Sequence, residues 1–401
     1  MKNKSAIFVA FSMMFLMIFQ VIPLKTQAKD DFIKWVDFDV TYAALNKALE
    51  VDIEYHDTET ALDWIELLAY LGAKYGGDFS KYQHSDMSEL VEELTGGRSI
   101  DEMTKDMGGY DYYHEVYSAV LGEFVGKYEI QVPNENEQNG EESESPGDVT
   151  ELPGDKQAEE GSGLSSEEDG SAEERSESSL GRNAPAEGEN GDPKKAKNPQ
   201  EDGSDTTEMS WEVRYGLKVF SPIAKNFYYG DYDDFGASRD YGYKRRHLGH
   251  DMFGAIGTPI VAVESGRVEV LGWNQYGGWR VGIRSFDGLR YYYYAHLRQN
   301  RPFHPDIKEG GTVKAGDVIG YMGHTGYSAN ENVNNIRETH LHFGMQIIFD
   351  ESQKEGNGEI WIDVYAITEL LRKNTCETYR VDDTKEFYRR YDFDEPLLKD
   401  R

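Results

Sequence analysis

The sequence predicts a multidomain α and β protein with an N-terminal all-α domain, a disordered acidic linker and a C-terminal, mainly antiparallel β-sandwich or barrel. Three observations predict this fold class. Apolar residues recur with helical period between about residues 31 and 131, no aromatic residue occurs in the middle of the chain, and short alternating runs separated by turn residues follow Trp211. With 401 residues, of which 38% are hydrophobic and 13% aromatic, the chain can form more than one core.

The first 28 residues have the pattern of a secretory signal peptide. Lys2 and Lys4 precede an uncharged stretch from Ser5 to Leu24, and the small residues before Ala28 suit cleavage after it. An uncleaved membrane anchor is the alternative, because about 18 or more apolar residues can span a bilayer. The sequence therefore predicts an extracellular or cell-wall location, with membrane contact only if this segment is retained.

Residues 29–132 are predicted to form a small helical domain, whose role the sequence leaves open. Its clearest signal is an apolar stripe of helical period that runs from Tyr113 to Tyr128. Residues from Ala61 to Tyr75 and from Met87 to Leu94 predict two further helices. Because this domain lies upstream of the motifs described below, residues before Trp211 are expected to be dispensable for hydrolysis of a small peptide.

Residues 133–210 are predicted to be a disordered, charge-extended linker. Acidic residues greatly outnumber basic ones there and aromatic residues are absent, so the segment cannot bury enough apolar surface to offset the entropy of ordering. An acidic cation-binding tail is the alternative interpretation. The formal net charge of -32 also argues against a nucleic-acid partner, because phosphate binding needs clustered Lys and Arg.

Residues 211–373 are predicted to form the β-domain, with a closing helix from Ala366 to Lys373 and a tail over residues 374–401. The turn pairs Ser265-Gly266 and Asp287-Gly288 separate strand-like runs, as hairpins require. The predicted strands are Pro259–Glu264, Arg267–Leu271, Trp279–Arg284, Arg290–His296, Val318–Met322 and Leu341–Phe349. A single cysteine, Cys376, excludes an internal disulfide and a cysteine-based zinc site.

Seven of the ten histidines fall within this β-domain. Strand alternation places His340 and His342 on one face. His247 and Asp251, four residues apart, offer an imidazole and a carboxylate, which are suitable ligands for Zn²⁺. His296 ends the tyrosine-rich strand and is predicted to share a face with its alternate tyrosines at the rim of the sheet. Each motif alone is short enough to occur by chance, so only their occurrence together in one domain indicates a functional site.

Together these segments resemble the lysostaphin-type (LytM-like) peptidoglycan zinc metallopeptidases. The resemblance covers about residues 235–349 and runs through HLGHDMFGAIGTPIVAVESGRV, YYYYAHL, VKAGDVIGYMGHTG and THLHF, in the order of the family. It implies a secreted zinc endopeptidase that hydrolyses peptide bonds in the stems or cross-links of bacterial peptidoglycan. The helical domain and the linker lie outside it.

Position by position, the resemblance implies that His247, Asp251 and His342 hold one Zn²⁺ per chain and that His296 and His340 are catalytic. Two imidazoles and one carboxylate leave the fourth tetrahedral position to water, which is typical of a catalytic zinc site. Zinc lowers the pKa of such a water to about 7, and a positioned base adds roughly 10²- to 10⁴-fold in rate. Which histidine is the principal base stays open.

The sequence departs from the family pattern at two places within the resemblance. His250 stands where an apolar residue is usual; alternation turns it away from the metal, and a ligand role is the alternative. The loop from Tyr327 to Glu338 is longer than usual and is predicted to line the substrate groove, so the bond that is cleaved stays open. The oligomeric state also stays open.

Two other functions fit parts of the sequence. An inert family member could bind the wall or a partner, but all five site positions are occupied by the expected residue types. The run from Val313 to Gly320 also resembles swinging-arm carrier domains of the biotinyl type, although no exposed lysine at a hairpin tip is evident. The metallopeptidase is therefore the leading hypothesis.

Overall fold

A computed structural model describes most of the chain outside its predicted leader and linker. The predicted signal peptide or anchor lies outside the described residues, as does nearly all of the predicted acidic linker. Within the described part, none of the helices combines the length and apolar character needed to cross a bilayer. The described residues are 32–134, 208–240, 244–356 and 358–395.

The chain divides into two compact units. One contains residues 1–131 together with residues 211–401, and the other contains residues 132–210. The N-terminal helices and the C-terminal β-domain thus belong to the same unit, although the sequence analysis treats them as separate domains.

The N-terminal segment is helical, as predicted. Its helices are α1 (Tyr42–Tyr55), α2 (Trp64–Tyr75), α3 (His84–Thr95), α4 (Ile100–Thr104) and α5 (Tyr110–Leu121), with a 3₁₀ turn at Phe79–Lys81. The Asp63 side chain caps α2 by accepting the backbone N–H groups of Ile65 and Glu66. Gly76 ends α2 in the left-handed conformation, at a φ of 67°.

The predicted apolar stripe continues to Tyr128, but the helix that carries it is shorter. α5 ends at Leu121, and Val125–Pro133 forms a strand, β1. β1 pairs antiparallel with a short strand at Phe393–Asp394, so its backbone hydrogen bonds are made across a sheet. A short apolar run fits either a helix or a strand, and pairing with a strand more than 260 residues further along the chain decided the outcome here.

Short strands dominate the regular secondary structure of the described residues that follow the linker, which confirms the predicted fold class. The first are β2 (Met209–Leu217), β3 (Gly230–Asp231), β4 (Ser238–Asp240), β5 (Lys244–Arg246), β6 (His250–Phe253), β7 (Pro259–Val261), β8 (Gly266–Asn274), β9 (Gly278–Ser285) and β10 (Arg290–Ala295). The others are β11 (Thr312–Val313), β12 (Val318–Tyr321), β13 (His340–Ile347), β14 (Ile360–Ile362), β15 (Thr378–Arg380), β16 (Phe387–Arg389) and β17 (Phe393–Asp394). Helix α6 (Tyr365–Leu371) follows β14, and the segment predicted as a tail contains the last three strands.

The main sheet has the strand order β11-β8-β9-β10-β13-β6-β3, with β14 also paired to β13, and every pairing is antiparallel. Its centre positions the site. His342 on β13 lies opposite Ala295 on β10 and opposite Asp251 on β6. The alternate residues, including Tyr294 and Phe343, are buried in the core on the other face. The sheet therefore has an apolar core face and a polar face around His342.

Arg290 joins the helical segment to this sheet. Its side chain is fully buried and pairs with Glu264 through two hydrogen bonds of 2.9 and 3.1 Å. It also donates to the backbone carbonyl oxygen of Ala119, on α5, at 2.7 Å. Burial alone would lower the pKa of Arg290, but the Glu264 carboxylate raises it well above its usual value. A fragment that begins at Trp211 would lack the Ala119 acceptor, which argues against independence from the helical segment.

Arg290→Met is expected to lower the free energy of unfolding by roughly 3 to 5 kcal/mol, because it leaves the Glu264 carboxylate buried without its cation. Urea unfolding of the full chain measures the loss. Adding Glu264→Gln removes that charge while keeping an acceptor for the Tyr292 hydroxyl, which lies 2.6 Å from Glu264, so the double variant should regain much of the stability. Equal losses in the single and double variants would contradict this explanation.

Candidate active site

All five site residues predicted from the sequence line one cavity of about 620 Å³. They are His247, Asp251, His296, His340 and His342. The long loop before β13 also lines this cavity, through Tyr327 and residues 335–338. Strands β6, β10 and β13 are adjacent in the sheet, so residues separated by up to 95 positions meet at one place.

Three of these side chains form a tight cluster. Asp251 Oδ1 lies 3.0 Å from His247 Nε2 and 2.9 Å from His342 Nδ1, and these two nitrogens lie 3.0 Å apart. A tetrahedral zinc site with bond lengths of about 2.0–2.2 Å has ligand atoms roughly 3.3 Å apart. The three atoms are therefore spaced closely enough to hold one metal ion, and among the described residues His247, Asp251 and His342 form a group that could do so.

Gly249 makes the close approach of β6 and β13 sterically feasible. A Cβ atom at this position would lie 2.7 Å from His342 Cε1 and Nε2, and 2.7 Å from the backbone oxygen of Phe343. This requirement follows from the packed sheet, because local sequence does not show which side chain lies against the glycine. The absence of a side chain lets the His342 ring lie against the backbone between His247 and Asp251.

Two residues near the cluster were not predicted from the sequence. Asp234 Oδ1 lies 2.8 Å from His247 Nδ1, and Arg239 forms ion pairs with Asp234 and, at 3.0 Å, with Asp251 Oδ2. The carboxylate accepts the Nδ1–H of His247 and thereby directs Nε2 toward Asp251. Asp234 lies in a loop 13 residues before His247. No motif spacing relates it to the cluster, so its role could not be predicted from the sequence.

Asp234→Ala is expected to lower zinc affinity about 10- to 100-fold, because the His247 ring loses the acceptor that orients it. Competition with a chelator of known affinity measures the change. Asp233→Ala is the matched control, since this neighbouring aspartate is exposed. Equal losses in the two variants, or an unchanged affinity in Asp234→Ala, would show that the hydrogen bond does not support the cluster.

His296 reaches the cavity through a turn that strand alternation does not predict. Alternation places it on the face of Tyr292 and Tyr294, which point into the core. Its φ of 61° instead rotates the side chain to the other face, so the predicted placement was wrong. The His296 Nδ1–H donates to the Thr325 carbonyl oxygen at 2.9 Å, which leaves Nε2 able to accept a proton.

His340 lies beside His296, with 4.7 Å between the ring centroids. Its Nδ1–H donates to the Glu338 carbonyl oxygen at 2.9 Å, so its Nε2 is also free to accept a proton. That nitrogen is 3.7 Å from Asp251 Oδ1. His340 therefore stands next to the three-atom cluster without being part of it.

His250 points to the opposite face of the sheet, as alternation predicts. Its Nδ1 lies 2.8 Å from the Thr368 hydroxyl, and its Nε2 lies 3.0 Å from Asp231 Oδ2. The ring is 2% exposed. These contacts give His250 a packing role between β6 and α6, and they remove it from the candidate ligands.

Burial and hydrogen bonding together set the charges in the cluster. Burial alone would raise the pKa of Asp251, but its hydrogen bonds with His247 and His342 hold that pKa well below its usual range. Burial lowers the pKa of His342. Burial also lowers the pKa of His296 well below its usual value, and the charges of His340 and His342 lower it further. The cavity thus combines an anionic carboxylate in the cluster, which suits cation binding, with a neutral imidazole beside the cluster at His296.

Comparison with known proteins shows that the residues around the cavity match a known protein family. Residues 245–355 match peptidase family M23. An L-Ala–D-Glu endopeptidase of Bacillus subtilis (strain 168) is 39% identical over 124 residues, which make up 31% of this chain and 36% of that protein. Lysostaphin of Staphylococcus simulans is 40% identical over 98 residues, or 24% of this chain and 17% of that protein.

A solved structure also matches part of the chain. The catalytic domain of the antimicrobial peptidase lysostaphin from Staphylococcus simulans is 31% identical, with a TM-score of 0.28, and the match covers 35% of this chain and 92% of that domain. The two curated relatives are matched over about a third of their length or less. Because the family match includes the cluster and both neighbouring histidines, the chain contains a peptidase family M23 domain of the lysostaphin type.

Proposed function

We propose that this chain is a zinc-dependent endopeptidase that hydrolyses peptide bonds in the stems or cross-links of bacterial peptidoglycan. One observation carries the proposal. The ligand atoms of His247, Asp251 and His342 lie within 3.0 Å of one another on the wall of a cavity that holds two further imidazoles. The substrate class is supported by the family resemblance and by the Bacillus subtilis relative, whose name describes an L-Ala–D-Glu endopeptidase.

The donor set fits zinc. Two imidazole nitrogens and one carboxylate oxygen are the ligand types that Zn²⁺ prefers, and three protein ligands leave room for a fourth. When it is bound, zinc acts as a Lewis acid that polarises the scissile carbonyl and makes water a better nucleophile near neutral pH. Within this site, Asp251 neutralises part of the ion's charge, and Asp234 keeps the His247 ring in its binding orientation.

His296 and His340 are the proton-transfer residues in this mechanism. Each ring has its Nδ1–H fixed by a backbone carbonyl, so each offers Nε2 to the reacting groups. A neutral imidazole there can accept a proton from the attacking water and return it to the leaving amine. The second imidazole, once protonated, can donate a hydrogen bond to the developing oxyanion. The 4.7 Å between the ring centroids is short enough for both to act on one tetrahedral centre.

An extended peptide can cross the cluster. The cavity of about 620 Å³ lies on one side, and a second cavity of about 370 Å³ shares His247, His296 and His342 with it. Because the two cavities share these residues, we infer that a bound peptide would extend from one cavity into the other past the candidate ligand atoms. Such a path suits a flexible linear substrate, and the long loop before β13 forms part of its wall.

The leader pattern over residues 1–28 supports secretion to the cell wall. Digestion of purified peptidoglycan by the full chain, followed by mass analysis of the released fragments, tests the activity. We expect new amino and carboxyl termini within stems or cross-links, about one zinc per chain, and loss of activity on chelation with recovery on adding zinc. A chain that stays active after its metal is removed, or that releases no peptide termini, would overturn the proposal.

A further inference from the structure

We propose that Arg280 binds a carboxylate of the substrate, on a residue next to the scissile bond, so that the site selects acidic peptides. This inference rests on the proposed endopeptidase function and adds the chemical class of its substrate. It concerns the second cavity, of about 370 Å³, which Arg280 lines together with His247 and His342.

The sheet places Arg280 on the same face as the candidate metal ligands. On β9, Gly282 lies opposite Tyr293 of β10, and Ala295, two residues further along β10, lies opposite His342 of β13. Alternation puts Arg280 on the face of Gly282, and therefore on the face of Tyr293 and His342.

One aromatic ring separates Arg280 from His342. The guanidinium carbon of Arg280 is 5.9 Å from the centre of the Tyr293 ring, and that ring meets the His342 imidazole edge to face, with 5.9 Å between centroids. A substrate bound across the cluster would thus have the guanidinium within one or two residues of its reacting bond.

Arg280 differs from the neighbouring arginines in its partners. Arg284, on the same strand, pairs with Glu269 and Glu351, and Arg290 pairs with Glu264. Arg280 Nε, like Arg284 Nε, is buried without a hydrogen-bond acceptor, but among the described residues the Arg280 guanidinium, unlike that of Arg284, has no carboxylate within ion-pair distance. Buried polar groups are nearly always satisfied, so a donor left open beside a cavity indicates that a ligand supplies the acceptor.

The remaining charges of this cavity favour an anion. Arg246 also lines it, and the single carboxylate there, Glu359, is engaged elsewhere. Glu359 accepts the indole N–H of Trp361 at 2.7 Å and the backbone N–H of Gly356 at 3.1 Å. A planar guanidinium binds a carboxylate through two parallel hydrogen bonds, which a carboxamide, with a single acceptor oxygen and no charge, cannot reproduce.

Two peptides that differ only in one group test the inference. Both carry a bond that the full zinc-loaded chain cleaves, and the residue beside it bears a free carboxylate in one peptide and a carboxamide in the other. The unmodified protein should favour the acid by about 10- to 100-fold in kcat/KM, the range expected for a charge-assisted hydrogen bond. Arg280→Gln should bring the ratio of acid to amide close to one, and Arg280→Lys should retain part of the preference.

Arg267→Gln is the matched control, because it makes the same change at an exposed arginine of the same sheet, and it should keep the preference. Zinc content and thermal unfolding verify that each variant is folded. Equal cleavage of both peptides by the unmodified protein, or an unchanged ratio in folded Arg280→Gln, would overturn the role of Arg280 and leave the proposed function intact. Failure of the unmodified protein to cleave either peptide or peptidoglycan would instead overturn the proposed function, and this inference with it.

Discussion

His342→Ala is expected to abolish both zinc binding and hydrolysis. The His342 Nδ1 atom lies 2.9 Å from Asp251 Oδ1 and 3.0 Å from His247 Nε2, so it supplies one of three ligand atoms. Two remaining ligands hold zinc poorly, and the Lewis-acid contribution of several kcal/mol is lost with the ion, which corresponds to roughly 10³-fold or more in rate. Metal analysis of the purified variant and a peptide-cleavage assay measure the two losses.

His84→Ala is a suitable control for His342→Ala, since His84 is an exposed histidine at the start of α3 and should change neither quantity. Adding zinc back separates a damaged site from an empty one. The unmodified protein, once stripped by a chelator, should recover its activity, whereas His342→Ala should not. Zinc bound at about one ion per chain in His342→Ala would remove His342 from the ligand set.

His296→Ala should lower the rate by about 10²- to 10⁴-fold while zinc stays bound, since a positioned acid–base group contributes that much. The His296 ring is buried beside His340 and does not belong to the three-atom cluster. Its loss therefore removes a proton acceptor and leaves the ligand atoms in place. The same metal analysis and cleavage assay, applied to this variant, distinguish its role from that of His342.

A second variant at position 296 is needed because His296 has a left-handed backbone conformation. Its φ of 61° lies in the left-handed region, where alanine is strained and asparagine is tolerated better. His296→Asn keeps that conformation more easily and should show the same pattern, with little activity and full zinc content. Release of zinc from both variants would mean that His296 holds the metal and that the proposed division of roles is incorrect.

Much of the candidate site could be predicted because its residues lie in short motifs. Alternation along one strand places His340 and His342 on a common face whatever the rest of the fold does. The turn-separated strands likewise predicted an antiparallel β-domain, which the sheet order confirms. By contrast, Asp234, Arg239 and Arg280 lie against side chains that are more distant in sequence, and no local pattern distinguishes them from other charged residues.

The sequence by itself determined the fold class, the face shared by His340 and His342, and the residue types of the candidate metal site. These follow from local periodicity and from the chemistry of side chains. Only the tertiary structure decided that Val125–Pro133 forms a strand and that His296 turns toward the cavity. It also decided that the carbonyl oxygen of Ala119, in the helical segment, accepts a hydrogen bond from the buried Arg290. Each of these depends on a hydrogen-bond partner or a backbone turn supplied by another part of the chain, and such partners are fixed only when the chain has packed.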